Sequence, residues 1–107
     1  MKIVNRGFIW IKPKQEYWDW ASSISDEQII VDTNNSEGSI YLIEEDFFDL
    51  EPIIKKHFSS ILKTECSSFC SAEHFPEFTL ELFENWFDLD VGSCVFDLLS
   101  SKLEKEK

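Results

Sequence analysis

The chain has 107 residues and carries 21 Asp and Glu side chains against 10 Lys and Arg, which gives a formal net charge of -11. Such a surface repels phosphate groups and argues against nucleic acid and anionic membranes as direct partners. Hydrophobic residues make up 43% of the chain and aromatic residues 15%, which excludes an intrinsically disordered protein because burial can offset the ordering entropy. We expect a single domain over residues 1–99 and a charged, frayed tail at 100–107.

The compartment follows from apolar runs and cysteine count. No apolar stretch typical of a secretory signal peptide follows the first residues, and every apolar run is too short to span a membrane. The three cysteines, Cys66, Cys70 and Cys94, are an odd number, which fits a reducing compartment better than a disulfide framework. The sequence therefore predicts a cytoplasmic protein.

The first half of the chain predicts two strands and one helix. Residues 7–12 carry β-branched and aromatic side chains on both alternating faces, which indicates a strand covered on both sides and ended by Pro13. Residues 15–23 place apolar side chains at helical spacing. We expect the apolar triplet at 29–31 to pack onto the core or form a short strand, and residues 39–44 to form the second strong strand.

The second half predicts two helices and a last strand. Asp49 is a good N-cap for the longest helix, at residues 50–69, where apolar side chains recur with helical spacing. Thr79 can cap a third helix that ends at Gly92, and residues 93–99 are typical of a strand, although a helix is possible. The order β-α-β-α-α-β predicts an α+β domain with three or four strands in a sheet and about three helices packed on it.

Short segments of mostly aromatic and structural character follow one another along the chain: Ile11-Lys12-Pro13-Lys14-Gln15, Asp19-Trp20, Ile40-Tyr41-Leu42-Ile43, Phe75-Pro76, Glu84-Asn85-Trp86-Phe87-Asp88 and Val95-Phe96-Asp97-Leu98. In this order the chain resembles a family of small, acidic, uncharacterised bacterial proteins of about this length. The resemblance spans residues 9–99 and implies a single cytoplasmic bacterial domain, with no activity to carry over. Members of that family tend to have Trp-Pro at Phe75-Pro76 and Glu-Leu at Glu65-Cys66.

The best candidate for chemistry is Cys66-x-x-x-Cys70-x-x-x-His74. Residues four apart lie on one face of a helix, so these could present two thiolates and an imidazole to a metal ion, with His57 or Cys94 as a fourth ligand. The spacing matches neither the Cys-x-x-Cys nor the His-x-x-x-His pattern of zinc sites, and buried structural cysteines are the alternative. Phosphate loops and common hydrolase motifs are absent from the sequence, so we expect no enzymatic activity and no cofactor.

Two tryptophans stand close together on the predicted first helix. Trp18 and Trp20 lie two residues apart and cannot face the same way. Each indole N–H also favours a hydrogen-bond partner. We therefore expect at least one of them to be partly exposed, as a groove residue or as a binding anchor.

Two acidic clusters surround large aromatic side chains. The carboxylates of the first cluster, around Phe47 and Phe48, are Glu44, Glu45, Asp46, Asp49 and Glu51. Those of the second, around Trp86 and Phe87, are Glu77, Glu81, Glu84, Asp88 and Asp90. Each cluster is either a solvated face that maintains solubility or a docking surface with aromatic anchors inside an acidic rim.

The leading hypothesis is a non-enzymatic interaction module that binds another protein of basic character. Its partner-binding candidates are Glu44, Glu45, Asp46, Phe47, Phe48, Asp49, Glu51 and Trp86. One alternative is a metal- or thiol-dependent site on Cys66, Cys70 and His74. The other is an acidic mimic of DNA that occupies a nucleic-acid-binding protein.

Overall fold

The computed structural model describes residues 1–25 and 37–105, and these form a small α+β domain, as predicted. The helices are α1 (Gln15–Ile24), α2 (Leu50–Cys66) and α3 (Leu80–Trp86), with a 3₁₀ turn at Ala72–His74. The strands are β1 (Lys2–Val4), β2 (Gly7–Pro13), β3 (Ser39–Ile43), β4 (Phe87–Gly92) and β5 (Val95–Asp97). None of the helices in the described ranges has the length and apolarity needed to cross a bilayer.

Two antiparallel sheets organise the strands. The larger sheet has the order β3-β2-β4, and Trp10 of the central strand lies opposite Ile40 of β3 and Asp90 of β4. β1 and β5 form a separate ribbon in which Ile3 lies opposite Phe96. Because side chains alternate along each strand, the larger sheet has one face towards the helices and one outer face.

The core fills the space between the three helices and one face of the larger sheet. Ile9 and Ile11 of β2 are fully buried together with Leu62 of α2 and Phe83 of α3. Each such side chain stabilises the fold by about 1.5–3 kcal/mol through its removal from water. Phe8, on the outer face, is only half-buried. The predicted strand is confirmed, but only its helix-facing side is completely covered.

The third helix is shorter than predicted. Thr79 caps it as expected, since its Oγ1 accepts a hydrogen bond from the backbone N–H of Leu82 at 3.1 Å. The prediction that this helix continues to Gly92 is wrong, because α3 ends at Trp86 and β4 begins at Phe87 with no loop between them. Beyond that point acidic and apolar side chains alternate with the period of a strand, and pairing with β2 provides the backbone partners.

The longest helix begins where the sequence predicts and ends early. α2 starts at Leu50 after Asp49, although the Asp49 side chain makes no capping hydrogen bond. It ends at Cys66, and the backbone N–H groups of Phe69 and Cys70 both donate to the Cys66 carbonyl in the turn that follows.

The remaining predictions have mixed outcomes. The last strand is confirmed over Val95–Asp97 and is shorter than expected. Its partner β1 was not predicted, because three residues are too few for an alternating pattern to be recognised. The apolar triplet at 29–31 lies outside the described residues.

Candidate functional site

An open groove lies where the two acidic clusters meet in the fold. It has a volume of about 380 Å³ and is lined by Leu50, Glu51, Ile54, Leu80, Glu84 and Leu89. We call it the acidic groove. Of its two carboxylates, Glu51 belongs to the first acidic cluster and Glu84 to the second. The sequence identified both carboxylates, but not the aliphatic side chains between them.

Three elements position the lining of the acidic groove. Leu50 and Ile54 lie one turn apart on α2, and Leu80 and Glu84 lie one turn apart on α3, so each pair shares a face of its helix. Leu89 belongs to the helix-facing side of β4, because it lies opposite a buried residue of β2. The floor is therefore apolar and is built from segments that are far apart in the sequence.

Two lysines lie at the rim of the acidic groove. Lys55 Nζ is 2.9 Å from the Glu51 carboxylate, and both side chains are exposed. Lys14 Nζ donates to the backbone carbonyl of Glu84 at 3.0 Å and lies 3.7 Å from Asp88. Exposed ion pairs of this kind contribute about 0–1 kcal/mol. The Glu51 carboxylate can therefore exchange Lys55 for another cation at little cost, whereas the contact of Lys14 with Glu84 is to its backbone carbonyl.

The first acidic cluster also contains a carboxylate with a structural role. Glu44, just after β3, is 2.9 Å from Lys56 Nζ and 2.6 Å from His57 Nε2, both on α2. The hydrogen bond from Lys56, followed by that from His57, lowers the pKa of Glu44 to about 2. Glu44 therefore ties β3 to α2, while its side chain remains 38% exposed. The other carboxylates of the cluster are exposed: Glu45, Asp46, Asp49 and Glu51.

The aromatic anchors predicted for docking separate into buried and exposed residues. Trp86 is only 6% exposed, with its ring centroid 5.0 Å from that of Trp20 and 5.5 Å from that of Tyr17. The structure thus places Trp86 in the core, which corrects its assignment as a surface candidate. Phe47 is half-buried against the core, whereas Phe48 is fully exposed at 105%. Phe48 is therefore the aromatic side chain of this segment that a partner can reach.

The tryptophans of α1 are both half-buried and both pack against the core, so the predicted partial exposure is confirmed. Trp18 contacts Tyr17 and Phe69 edge-on, at centroid distances of 5.2 Å and 6.0 Å. Its Nε1 is buried and has no hydrogen-bond partner among the residues that the structure describes. Leaving such a donor unpaired costs about 1–3 kcal/mol, so packing of the indole must outweigh this cost.

Sequence reasoning missed a junction of three elements around Glu65. Tyr17 of α1 donates its hydroxyl hydrogen to the backbone carbonyl of Glu65 at 2.8 Å, and Tyr41 of β3 donates to the Glu65 carboxylate. Burial, reinforced by Glu65, raises the pKa of both tyrosines far above their ordinary value. Both hydroxyls therefore stay protonated and hold α1 and β3 onto α2. No sequence spacing could have revealed a contact among three separate elements.

The predicted metal or thiol constellation does not assemble. Cys66 is buried, and burial raises the pKa of its thiol to about 12, which keeps it protonated. Cys70 is half-buried and its S–H donates to the Cys66 carbonyl at 3.8 Å, while His74 is exposed on the 3₁₀ turn. Because α2 ends at Cys66, the helical face that was to carry all three residues does not exist. Within 1–25 and 37–105, no group of three or more His, Cys, Asp or Glu side chains could hold a metal ion.

Comparison with family models, with curated proteins and with solved structures gave no match to this chain.

Proposed function

We propose that the protein is a non-enzymatic docking module that binds a basic, partly apolar segment of another protein across the acidic groove. The observation that carries the proposal is the composition of the groove. Four aliphatic side chains line its floor, and Glu51 and Glu84 contribute carboxylates. Protein interfaces combine an apolar centre with a polar rim in the same way.

The shape and charge of the acidic groove favour a particular kind of segment. A volume of about 380 Å³ accommodates one or two large apolar side chains, and it lies near the lower end of the roughly 300–1,000 Å³ typical of small-molecule pockets. Lys or Arg residues on either side of that anchor would meet Glu51 and Glu84. The net charge of -11 would also attract a basic partner over a longer range and speed the encounter.

The side chains of the acidic groove support recognition better than catalysis. Its lining consists of carboxylates and aliphatic groups, and both Glu51 and Glu84 are exposed to solvent. Among these lining residues there is no thiol, hydroxyl or imidazole that could act as a nucleophile or base beside the carboxylates. Phe48 is exposed and lies two residues before Leu50 in the chain, so it offers a second apolar side chain to the same partner.

A matched pair of synthetic peptides tests the proposal. The first has a leucine anchor flanked by lysines, and the second has the same leucines flanked by glutamates. We expect calorimetric titration to show binding of the lysine peptide at low salt, weaker binding at high salt, and no binding of the glutamate peptide. Failure of the lysine peptide to bind at low salt would contradict the proposed function.

Charge-reversal variants locate the binding surface. Glu51→Lys combined with Glu84→Lys should weaken binding of the lysine peptide at least about tenfold, because two attractions at the rim become repulsions. The control, Glu73→Lys combined with Glu104→Lys, makes the same change in net charge at exposed positions outside the groove. Equal weakening by both variants would show general charge attraction and no docking site. For a partner captured from lysate, competition with duplex DNA tests the DNA-mimic alternative.

A further inference from the structure

The outer face of the larger sheet carries a second groove of opposite character. Its volume is about 240 Å³, and its lining residues have no charge: Phe8, Ile40, Leu42, Cys94, Val95 and Phe96. We call this surface, together with Ile3, the apolar face. An uncharged surface stands out on a chain in which 29% of residues are charged.

The strand register explains why these side chains gather. Leu42 of β3 lies opposite Phe8 of β2, and Ile40 is two residues away on the same side of the strand. Phe96 lies opposite Ile3 in the β1–β5 ribbon, so these two form a neighbouring ridge. The helices pack on the other side of the larger sheet, so within residues 1–25 and 37–105 both the groove and the ridge are left uncovered.

The exposed apolar area is large enough for a specific interface. Ile3, Ile40, Leu42 and Phe96 expose between 51% and 76% of their surface. With the half-buried lining residues, they present on the order of 400 Å² of apolar surface. Apolar atoms make up about 60% of protein interfaces, so an interface of that composition that buries this patch covers ~700 Å² per partner and ~1,400 Å² in total. That exceeds the ~1,000 Å² expected of a biological interface.

We propose that a second copy of this chain packs on the apolar face and forms a two-fold symmetric dimer. Two chains with a net charge of -11 each repel wherever their carboxylates meet. Close approach therefore favours the β3 side of the outer face, where the groove lining has no charge, over the β4 side, where Asp88 and Asp90 are exposed. A basic partner finds no carboxylate in this groove to bind. The groove and the Ile3–Phe96 ridge lie side by side, so a two-fold axis places the ridge of each copy against the groove of the other.

The groove volume agrees with this occupant. At about 240 Å³ it is smaller than the roughly 300 Å³ at which small-molecule pockets begin, but it accepts inserted apolar side chains. Dimerisation goes beyond the proposed function, because it uses the opposite face of the larger sheet. It also has the opposite salt dependence, since salt screens the repulsion between two acidic copies and weakens attraction to a basic peptide.

Sedimentation equilibrium of the full chain tests the dimer over micromolar to millimolar concentrations. We expect a monomer–dimer equilibrium whose dissociation constant decreases as salt increases. A monomer at every concentration, at both low and high salt, would overturn the proposal. A dimer that dissociates as salt increases would also overturn it, because acidic and basic surfaces would then be in contact.

Two leucine-to-lysine variants test where the dimer interface lies. Leu42→Lys should weaken the dimer at least about tenfold, because the symmetry brings the new charge into the interface twice. Leu103→Lys makes the same substitution at an exposed leucine of the C-terminal tail and should leave the dimer unchanged. If both substitutions weaken the dimer equally, or if Leu42→Lys does not weaken it, the dimer interface does not lie on the apolar face. If circular dichroism shows that Leu42→Lys does not fold, Ile40→Thr replaces it, because threonine keeps the β-branched shape.

Two readouts separate this proposal from the proposed function. Cys94 is exposed within the groove, so its reaction with a thiol reagent should slow as wild-type concentration rises and should not slow in Leu42→Lys. If the rate of the Cys94 reaction does not depend on protein concentration although the protein dimerises, the interface lies elsewhere. Leu42→Lys should bind the lysine peptide like the wild type, so the dimer and the acidic groove can fail independently.

Discussion

Replacing Phe83 by alanine tests how α3 is oriented, and therefore whether the acidic groove exists as described. Phe83 is 0% exposed, and its ring centroid lies 5.7 Å from that of Phe87 and 6.4 Å from that of Phe58. Because Phe83 anchors α3 in the core, it sets the direction in which Leu80 and Glu84 face the groove. A different rotation of α3 would remove both residues from the lining.

The expected loss follows from burial. Truncating a fully buried phenylalanine removes its transfer free energy and leaves a cavity, which together cost about 3–5 kcal/mol. A loss of ~4 kcal/mol with a urea dependence of ~2 kcal/mol per molar lowers the unfolding midpoint by ~2 M. Since a domain of this length has roughly 5–15 kcal/mol of stability, Phe83→Leu provides a milder variant with a loss of about 1–2 kcal/mol.

Phe48→Ala is the matched control, because Phe48 is 105% exposed and should change the free energy of unfolding by less than about 0.5 kcal/mol. Urea unfolding followed by tryptophan fluorescence measures all three variants. Equal losses for Phe83→Ala and Phe48→Ala, or a Phe83→Ala midpoint equal to that of the wild type, would show that α3 does not pack as described.

Two further predictions concern titration and thiol chemistry. The Glu44 pKa is lowered from 4.5 to about 2 in the folded chain, so its stabilisation is present above pH 4.5 and is lost as the pH falls towards 2. Urea midpoints of Glu44→Gln should therefore fall less on acidification than those of the wild type, whereas Glu45→Gln, at an exposed neighbour, should follow the wild type. Cys94 should react with a thiol reagent in the folded protein and Cys66 only after unfolding, because Cys66 is buried with a pKa of about 12; simultaneous reaction of both thiols would contradict the packing at the end of α2.

Most elements were predictable from the sequence, including the short β3 and β5, whereas β1 and the boundary between α3 and β4 were not. β2 and α2 each contain several core residues at a clear strand or helix period, and α1 contains two, Tyr17 and Ala21, one helical turn apart. The boundary at Trp86 was missed because apolar positions in α3 and β4 follow one another without a turn residue. The extended conformation of the backbone from Phe87 onward is determined by its pairing with β2, which is distant in the sequence.

The candidate site was predictable in its charges and not in its shape. Glu51 and Glu84 were named from their acidic clusters, but a groove between them requires α2, α3 and β4 to come together. Trp86 was assigned to the surface because carboxylates flank it in the sequence. In the fold, its helical position directs it towards Tyr17 and Trp20 in the core, and local composition cannot specify that direction.

The two proposed surfaces lie on opposite sides of the larger sheet, and this arrangement has a consequence for the binding of partners. Packing on the apolar face through Leu42 leaves the acidic groove of each copy open, because Leu89 and the helices line the other side. A dimer would therefore present two grooves at a fixed separation and would bind a partner with two basic segments more tightly than either groove alone. Leu42→Lys should abolish that gain while leaving single-segment binding intact. The bivalent effect would then be strongest at intermediate salt, where repulsion between copies is screened and attraction to basic segments persists.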